Sequence, residues 1–170
     1  MAMAHLRIRS PDPPSRWHNH KIAFYRDVPE ILHRLREAGV TVAVASRTHT
    51  PDLARQALGL LLVPPAAGHK AKGEAPTPAV RFFDHLQIYP GSKIRHFQEL
   101  HKQTGLPYSE MLFFDDEHRN REVESLGVTF CLVQSGVNDR AFEHGIAEWR
   151  RRHPVEVAED AAATSTVDSE

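Results

Sequence analysis

The sequence lacks the features that mark several classes of protein. Its 170 residues contain one cysteine, Cys131, so an internal disulfide is excluded. No apolar run approaches the roughly 18 residues of a membrane span, and the N-terminus has no apolar segment of the kind a signal peptide needs. We therefore expect a cytoplasmic protein without a membrane partner. Cys131 lies in the apolar run VTFCLV and is predicted to be a buried thiol.

The balanced charge and the absence of several motifs argue against further classes of protein. The formal net charge is −1, with 21 basic and 22 acidic residues, so the global charge does not point to a nucleic-acid partner. The chain has no Gly-x-Gly-x-x-Gly, no phosphate-loop motif and no Cys-x-x-Cys. Its twelve histidines are scattered, and although His18 and His20 could share a metal, no second group has zinc-site spacing. We expect a monomer of ordinary globular composition.

The length fits one domain with irregular ends. Residues 1–20 form an irregular N-terminal segment, rich in Pro, Arg and His, and residues 21–152 form the folded domain. Within it, residues 63–79 contain four prolines and two glycines, which predicts a flexible surface insertion. Residues 153–170 are acidic and small, and are predicted to be a disordered tail.

Strand and helix patterns alternate along the domain. Short apolar runs, typical of strands buried on both faces of a parallel sheet, occur at 40–46, 86–89, 111–115 and 128–133. Apolar residues at helical spacing predict helices between Val28 and Gly39, from Pro51 to Leu61, between Ser92 and Gly105, over 117–126 and around Phe142–Trp149. This order predicts an α/β domain with a mainly parallel sheet and helices on both faces.

Polar side chains follow three of the predicted strands, at the sheet edge where α/β proteins bind ligands. Ser46, Arg47 and Thr48 follow the first strand, where a hydroxyl and a guanidinium can bind phosphate. Lys93 follows Ser92 at a helix start, which suits an anion that also meets free backbone amides. Each group alone is also compatible with a polar turn or a solvated surface.

Two adjacent carboxylates, Asp115 and Asp116, end the strand MLFFD. Adjacent carboxylates repel one another, so they need a cation or exposure to solvent. Oxygen ligands of this kind suit Mg²⁺, which takes one or two carboxylates together with water and substrate phosphate. The alternative is an exposed acidic turn that begins the following helix.

The segments FYRDVPEIL, ASRT, YPGSK and FFDDEHRN occur in this order between residues 22 and 150. Together they resemble the magnesium-dependent phosphatase 1 branch of the haloacid dehalogenase (HAD-like) superfamily. The resemblance implies a Rossmann-like fold, Mg²⁺ as cofactor and hydrolysis of phosphoric monoesters through an aspartyl-phosphate. The implied substrates are phosphotyrosine in proteins, phosphorylated sugars or glycated amines.

The resemblance also implies roles for individual residues. Ser46 would hold the phosphoryl group and Lys93 would neutralise its charge, both as catalytic-site residues. Arg47 and Thr48 would join them in binding substrate. Asp115 and Asp116 would form the metal site, with Asp115 as the direct ligand.

One part of the family pattern is missing. The family's first motif, Asp-x-Asp after an N-terminal central strand, supplies its nucleophile and general acid, and the only acid before FYRDVPEIL is Asp12. We therefore expect an incomplete family member, shortened by gene prediction or splicing and catalytically impaired. The central strand would be missing or replaced, with HLRIR (5–9) as the available substitute.

Two other functions fit parts of the pattern. A non-catalytic relative could keep Ser46, Lys93 and Asp115 to bind magnesium or a phosphorylated ligand and act through partners. A phosphorelay receiver domain also uses an acidic pair, a hydroxyl and a lysine, but there the acidic pair follows the first strand. Here it follows a late strand, so the order does not fit a receiver.

Overall fold

The structure, a computed structural model, describes residues 23–66 and 75–154, and the backbone alone of residues 2–3. The remainder of the predicted N-terminal segment, including the HLRIR substitute, lies outside the described residues. So does the predicted tail beyond residue 154. In the described part of the chain, no helix combines the length and apolar character that crossing a membrane requires.

In the described part of the chain, five parallel strands form the main sheet: β1 (Ala2–Met3), β2 (Val42–Ser46), β5 (His85–Ile88), β6 (Leu112–Asp115) and β7 (Thr129–Leu132). Their order across the sheet is β5-β2-β1-β6-β7. Two further strands, β3 (Leu62–Val63) and β4 (Thr77–Pro78), pair with each other in antiparallel fashion. The predicted α/β fold with a parallel sheet is confirmed.

The central position of the sheet is occupied by the two-residue strand β1. Ala2 pairs with Val42 on one side and Leu112 on the other, and Met3 pairs with the residues that follow them. The short strand therefore joins β2 to β6. The central strand is therefore present as residues 2–3, whereas the substitute expected from the sequence, HLRIR (5–9), lies outside the described residues.

Among the described residues are four α-helices: α1 (Val28–Glu37), α2 (Pro51–Leu60) and α3 (Lys93–Thr104) connect strands, and α4 (Asp139–Arg152) follows the last one. The start of α3 is fixed by Ser92, whose Oγ accepts a hydrogen bond from the backbone N–H of Arg95 (3.3 Å). Its end is fixed by Gly105, whose φ of 70° is the left-handed conformation that glycine adopts readily. The predicted ends of this helix are both observed.

The strands bury both faces, as their apolar runs predict. Val42 and Val44 of β2 pack in the core on the side of α1 and α4, whereas Ala43 and Ala45 pack on the side of α3. This alternation is the period of two expected of a strand. Cys131 of β7 lies in the first of these cores, and burial raises the pKa of its thiol to about 11, as expected of an inert core cysteine.

Two predicted segments differ from the structure. The helix predicted over 117–126 is a 3₁₀ helix, His118–Leu126, in which Asn120 and Val123 are both buried. Three residues per turn bring residues three apart onto one face, which places both side chains inward. The insertion predicted over 63–79 is corrected at its ends, because Val63 and Thr77 pair and Ala66 and Ala79 are buried. Residues 67–74 lie outside the described part.

Gly145 lets α4 approach the sheet closely. A Cβ at this position would lie 2.4 Å from a ring carbon of Phe114 and 3.2 Å from Sγ of Cys131. We expect Gly145→Ala to lower the free energy of unfolding by about 1–3 kcal/mol, because Phe114 is buried and has little room to move. Denaturant unfolding measures this. Gly59→Ala is the control, since nothing lies within 4 Å and a gain of up to about 1 kcal/mol is expected.

Candidate functional site

A cavity of about 360 Å³ lies at the carboxyl edge of the sheet. Three chain segments line it: the turn after β2, the turn between β5 and α3, and the segment after β6. The lining side chains and backbone come from Ser46, Arg47, Thr48, His49, Pro90, Gly91, Lys93, Glu117, Arg119 and Asn120. These segments come together because the strands of the main sheet are parallel, so all of them end at this edge.

The turn after β2 presents hydroxyl groups at the cavity. Oγ of Ser46 accepts a hydrogen bond from the backbone N–H of Thr48 (3.4 Å). Oγ1 of Thr48 in turn accepts one from the backbone N–H of Thr50 (3.1 Å). Side chains that accept from nearby backbone amides stabilise tight turns. These bonds hold the chain in a fixed bend as it leaves the strand.

Lys93 points inward from the first residue of α3, and its side chain is only 1% exposed. Its Nζ lies 3.4 Å from Oδ2 of Asp115 and donates a hydrogen bond to the carbonyl of Ala45. Burial lowers the pKa of Lys93, and Asp115 acts against this by favouring the charged form. The buried ammonium is thus held between a carbonyl and a carboxylate beneath the cavity.

The carboxylate of Asp115 is completely buried at the end of β6. Its Oδ1 accepts hydrogen bonds from the backbone N–H of Glu117 (2.7 Å) and from Nδ2 of Asn120 (2.9 Å). Its Oδ2 faces Lys93. With both oxygens engaged from different sides, the orientation of the carboxylate is fixed.

The structure brings most of the predicted residues together. The same cavity is lined by Ser46, Arg47, Thr48 and Lys93. Asp115 lies beneath it, in contact with Lys93. Asp116 is half-buried and does not line the cavity. Sequence reasoning missed Asn120, because an asparagine five residues after Asp115 carries no pattern of its own. It also missed Glu117, Arg119 and His49, which line the cavity too.

The described residues fit Mg²⁺ in part. Asp115 supplies a rigid carboxylate, the ligand type that Mg²⁺ prefers, and this ion keeps several waters when only one or two carboxylates bind it. Among residues 23–66 and 75–154, no three His, Cys, Asp or Glu side chains are grouped as a complete metal site. Water, phosphate oxygens or residues outside the described part would have to supply the other ligands.

His96 lies beneath the turn that carries Lys93, and it is fully buried. Its ring nitrogens lie 2.8 Å from the carbonyl oxygen of Ser92 and 3.0 Å from that of Tyr89. Its ring also stacks on Tyr89, with centroids 4.3 Å apart. Burial lowers the pKa of His96, and the charge of Lys93 lowers it further. The ring ties the two ends of the turn together.

Stability is expected to fall in mild acid because of His96. Below its ordinary pKa of about 6.5, the unfolded chain takes up a proton at this residue that the native protein does not yet bind. The free energy of unfolding therefore decreases with falling pH, by at most about 1.4 kcal/mol per pH unit for one group. Urea unfolding of the wild type and of His96→Asn at pH 7.5 and 5.5 measures this. The free energy of unfolding of the wild type should exceed that of His96→Asn by less at pH 5.5 than at pH 7.5. An equal difference at the two pH values would contradict the lowered pKa of His96.

Comparison with known proteins places the chain in a family. A model of the acid phosphatase family matches residues 15–152. A HAD-like hydrolase superfamily protein of Schizosaccharomyces pombe is 51% identical over 65% of this chain and 60% of its own length. Magnesium-dependent phosphatase 1 of Homo sapiens is 41% identical over 74% of this chain and 62% of its own length. The matched region thus spans less than two thirds of either relative.

A solved structure supports the fold. A HAD family enzyme of Bacteroides thetaiotaomicron, a mutant in complex with magnesium and inorganic phosphate, aligns with a TM-score of 0.50 and 17% identity. The alignment covers 66% of this chain and 54% of that enzyme. The predicted cofactor, Mg²⁺, agrees with the name of the human relative. The chain belongs to the acid phosphatase family, in the magnesium-dependent phosphatase 1 branch of the HAD-like superfamily.

Proposed function

We propose that the cavity binds the phosphoryl group of a phosphoric monoester together with Mg²⁺. The observation that carries this is the position of Lys93, buried at the cavity within 3.4 Å of Asp115. A buried ammonium is costly unless it interacts with anions. One carboxylate supplies part of that compensation, and a phosphate in the cavity would supply more.

Each residue has a defined part in this proposal. Ser46 and Thr48 present hydroxyls to the phosphate, and Arg47 and Lys93 offset its negative charge. Asp115 is the protein ligand of Mg²⁺, and Asp116, which does not line the cavity, adds negative charge beside it. Mg²⁺, when bound, would neutralise charge on the phosphoryl oxygens.

The lining favours a polar substrate. Among the described residues, the cavity wall has no Phe, Tyr, Trp or aliphatic side chain larger than proline, and His49 is its one aromatic ring. A phenyl ring binds best against apolar or aromatic surface. Phosphorylated sugars and related polar esters therefore fit these residues better than phosphotyrosine does.

We further propose that this chain is catalytically impaired. The family's route needs an aspartate nucleophile, and the sequence contains no Asp-x-Asp before residue 24. The remaining groups can bind and polarise a phosphate but cannot form the covalent intermediate.

The expected result is no measurable Mg²⁺-stimulated hydrolysis of an aryl phosphate or a sugar phosphate by the 170-residue chain. A colorimetric phosphate assay with and without EDTA measures this. Asp115→Asn is the control for a contaminating phosphatase, because such an activity would survive the substitution. Clear turnover that disappears in Asp115→Asn would contradict the proposed impairment.

A second candidate is a non-catalytic binder that acts through partners. The fixed Asp115 carboxylate and the buried Lys93 favour it, because binding needs these groups but not the missing nucleophile. Calorimetry with MgCl₂ and inorganic phosphate tests it. Heat of binding without turnover fits this candidate and the impaired phosphatase alike, and a folded protein that binds neither ligand would count against both.

A further inference from the structure

Asn120 joins two parts of the site through its side-chain amide. Its Oδ1 accepts a hydrogen bond from Nη1 of Arg47 (3.0 Å), and its Nδ2 donates one to Oδ1 of Asp115 (2.9 Å). A longer contact of 3.4 Å joins Nδ2 to Oε2 of Glu117. Asn120 is 1% exposed, so water cannot replace these bonds.

The charges on either side determine the orientation of this amide. The carbonyl end must face the guanidinium of Arg47, and the amino end must face the carboxylate of Asp115. In the reverse orientation, the amide oxygen of Asn120 would face the carboxylate oxygen of Asp115, and its NH₂ group would face the N–H groups of Arg47. An asparagine meets both neighbours with the correct partner, whereas aspartate would repel Asp115 and leucine would bond to neither.

Arg47 gains a fixed position from this contact. Arginine has a long, flexible side chain, and a hydrogen bond to a buried amide removes much of that freedom before a ligand arrives. Arg47 and Lys93 line the same cavity, and their like charges act on one another, since Arg47 contributes to the lowered pKa of Lys93. Two cations held close together suit an anion that meets both.

We propose that Asn120 is a positioning residue that bridges Asp115 to Arg47 and so holds Arg47 in place as a second anion-binding group beside Lys93. This inference rests on the proposed phosphate-binding function. It assigns Asn120 no contact with the phosphate. Its effect on binding passes through Arg47.

The test is the affinity for inorganic phosphate, measured by calorimetry in EDTA so that the metal does not contribute. Arg47→Met is expected to weaken binding about 10-fold, the loss of roughly one charge-assisted hydrogen bond. Asn120→Leu is expected to weaken it nearly as much. The double variant should bind no more weakly than Arg47→Met alone, because both substitutions remove the same interaction.

Two further variants keep the result interpretable. Asn120→Ser is polar and smaller, so it removes the bridge even if Asn120→Leu does not fold. Asn138→Leu is the matched control: this asparagine caps α4 through the N–H of Ala141 (2.9 Å) and does not line the cavity. It should lower stability but leave phosphate affinity unchanged.

Each outcome is decisive. Losses for Asn120→Leu or Asn120→Ser that do not add to that of Arg47→Met support the bridge. Wild-type affinity in both Asn120 variants, or fully additive losses, overturns the inference while the proposed function stands. If the wild-type chain binds phosphate only with MgCl₂, the same comparison of variants is made in MgCl₂; if it binds none in either condition, the proposed function fails and the inference fails with it.

Discussion

Substituting His5→Asp and Arg7→Asp together is expected to convert this chain into a Mg²⁺-stimulated phosphatase. In the family that it resembles, Asp-x-Asp directly follows the central strand. Here the central strand is β1, and the sequence that directly follows is Ala4-His5-Leu6-Arg7. The two substitutions change residues 5–7 from His-Leu-Arg to Asp-Leu-Asp. His5 and Arg7 lie outside the described residues, so the two positions follow from sequence spacing alone.

The increase in hydrolysis rate should be large, because the other groups of a catalytic site contribute little when the nucleophile is absent. Removing the nucleophile of a well-studied protease costs about 10⁶-fold in rate. Even partial restoration should therefore raise hydrolysis of a sugar phosphate at least about 10³-fold above the wild-type chain, as judged by released phosphate.

Two controls separate the expected chemistry from other effects. His5→Asn/Arg7→Asn has the same side-chain shapes without the carboxylates, and should stay inactive. Adding Asp115→Asn to the active variant should abolish its Mg²⁺ stimulation. A folded His5→Asp/Arg7→Asp variant that binds Mg²⁺ and phosphate but turns over nothing would show that more than this motif is missing.

Lys93→Met is expected to lower the free energy of unfolding by about 3–5 kcal/mol in EDTA. It removes the cation 3.4 Å from the fully buried carboxylate of Asp115 and leaves that carboxylate without its buried counter-charge. Asp115→Asn should also destabilise, because the ammonium of Lys93 then keeps its burial and loses its counter-charge. Urea unfolding measures both.

The double variant Lys93→Met/Asp115→Asn distinguishes an ion-pair effect from lost packing. Both members are then uncharged, and asparagine can still accept the hydrogen bond from Glu117 N–H. Its stability should lie closer to that of the wild type than either single variant does. Lys102→Met, at an exposed lysine of the same helix, should change stability by less than about 0.5 kcal/mol. Additive losses in the double variant would argue against a coupled buried pair.

Much of the fold follows from local pattern. The runs at 40–46 and 111–115 are apolar on both faces and short, so each reads as a buried parallel strand without knowledge of its neighbours. Ser92 and Gly105 mark the ends of α3 because capping depends on residues within one turn. The sequence predicts a helix over 117–126 but not its type, because the inward position of Asn120 depends on Asp115 and not on local spacing.

The central strand, in contrast, could not be predicted from local sequence pattern. Ala2 and Met3 have no pattern that distinguishes a strand, and their position between β2 and β6 depends on two partners 40 and 110 residues away. A two-residue strand is determined by the gap that its neighbours leave, because their backbone groups need hydrogen-bond partners.

The sequence by itself determined which chemistry gathers at one edge: a hydroxyl, a lysine and an aspartate, each after a successive strand, and the family they indicate. Only the tertiary structure decided how these groups meet. It turned Lys93 inward to Asp115, left Asp116 off the cavity and placed Asn120 between Asp115 and Arg47. The reason is physical: chain order places residues at a strand end, but the direction and partners of a buried polar side chain depend on charges that other segments bring to it.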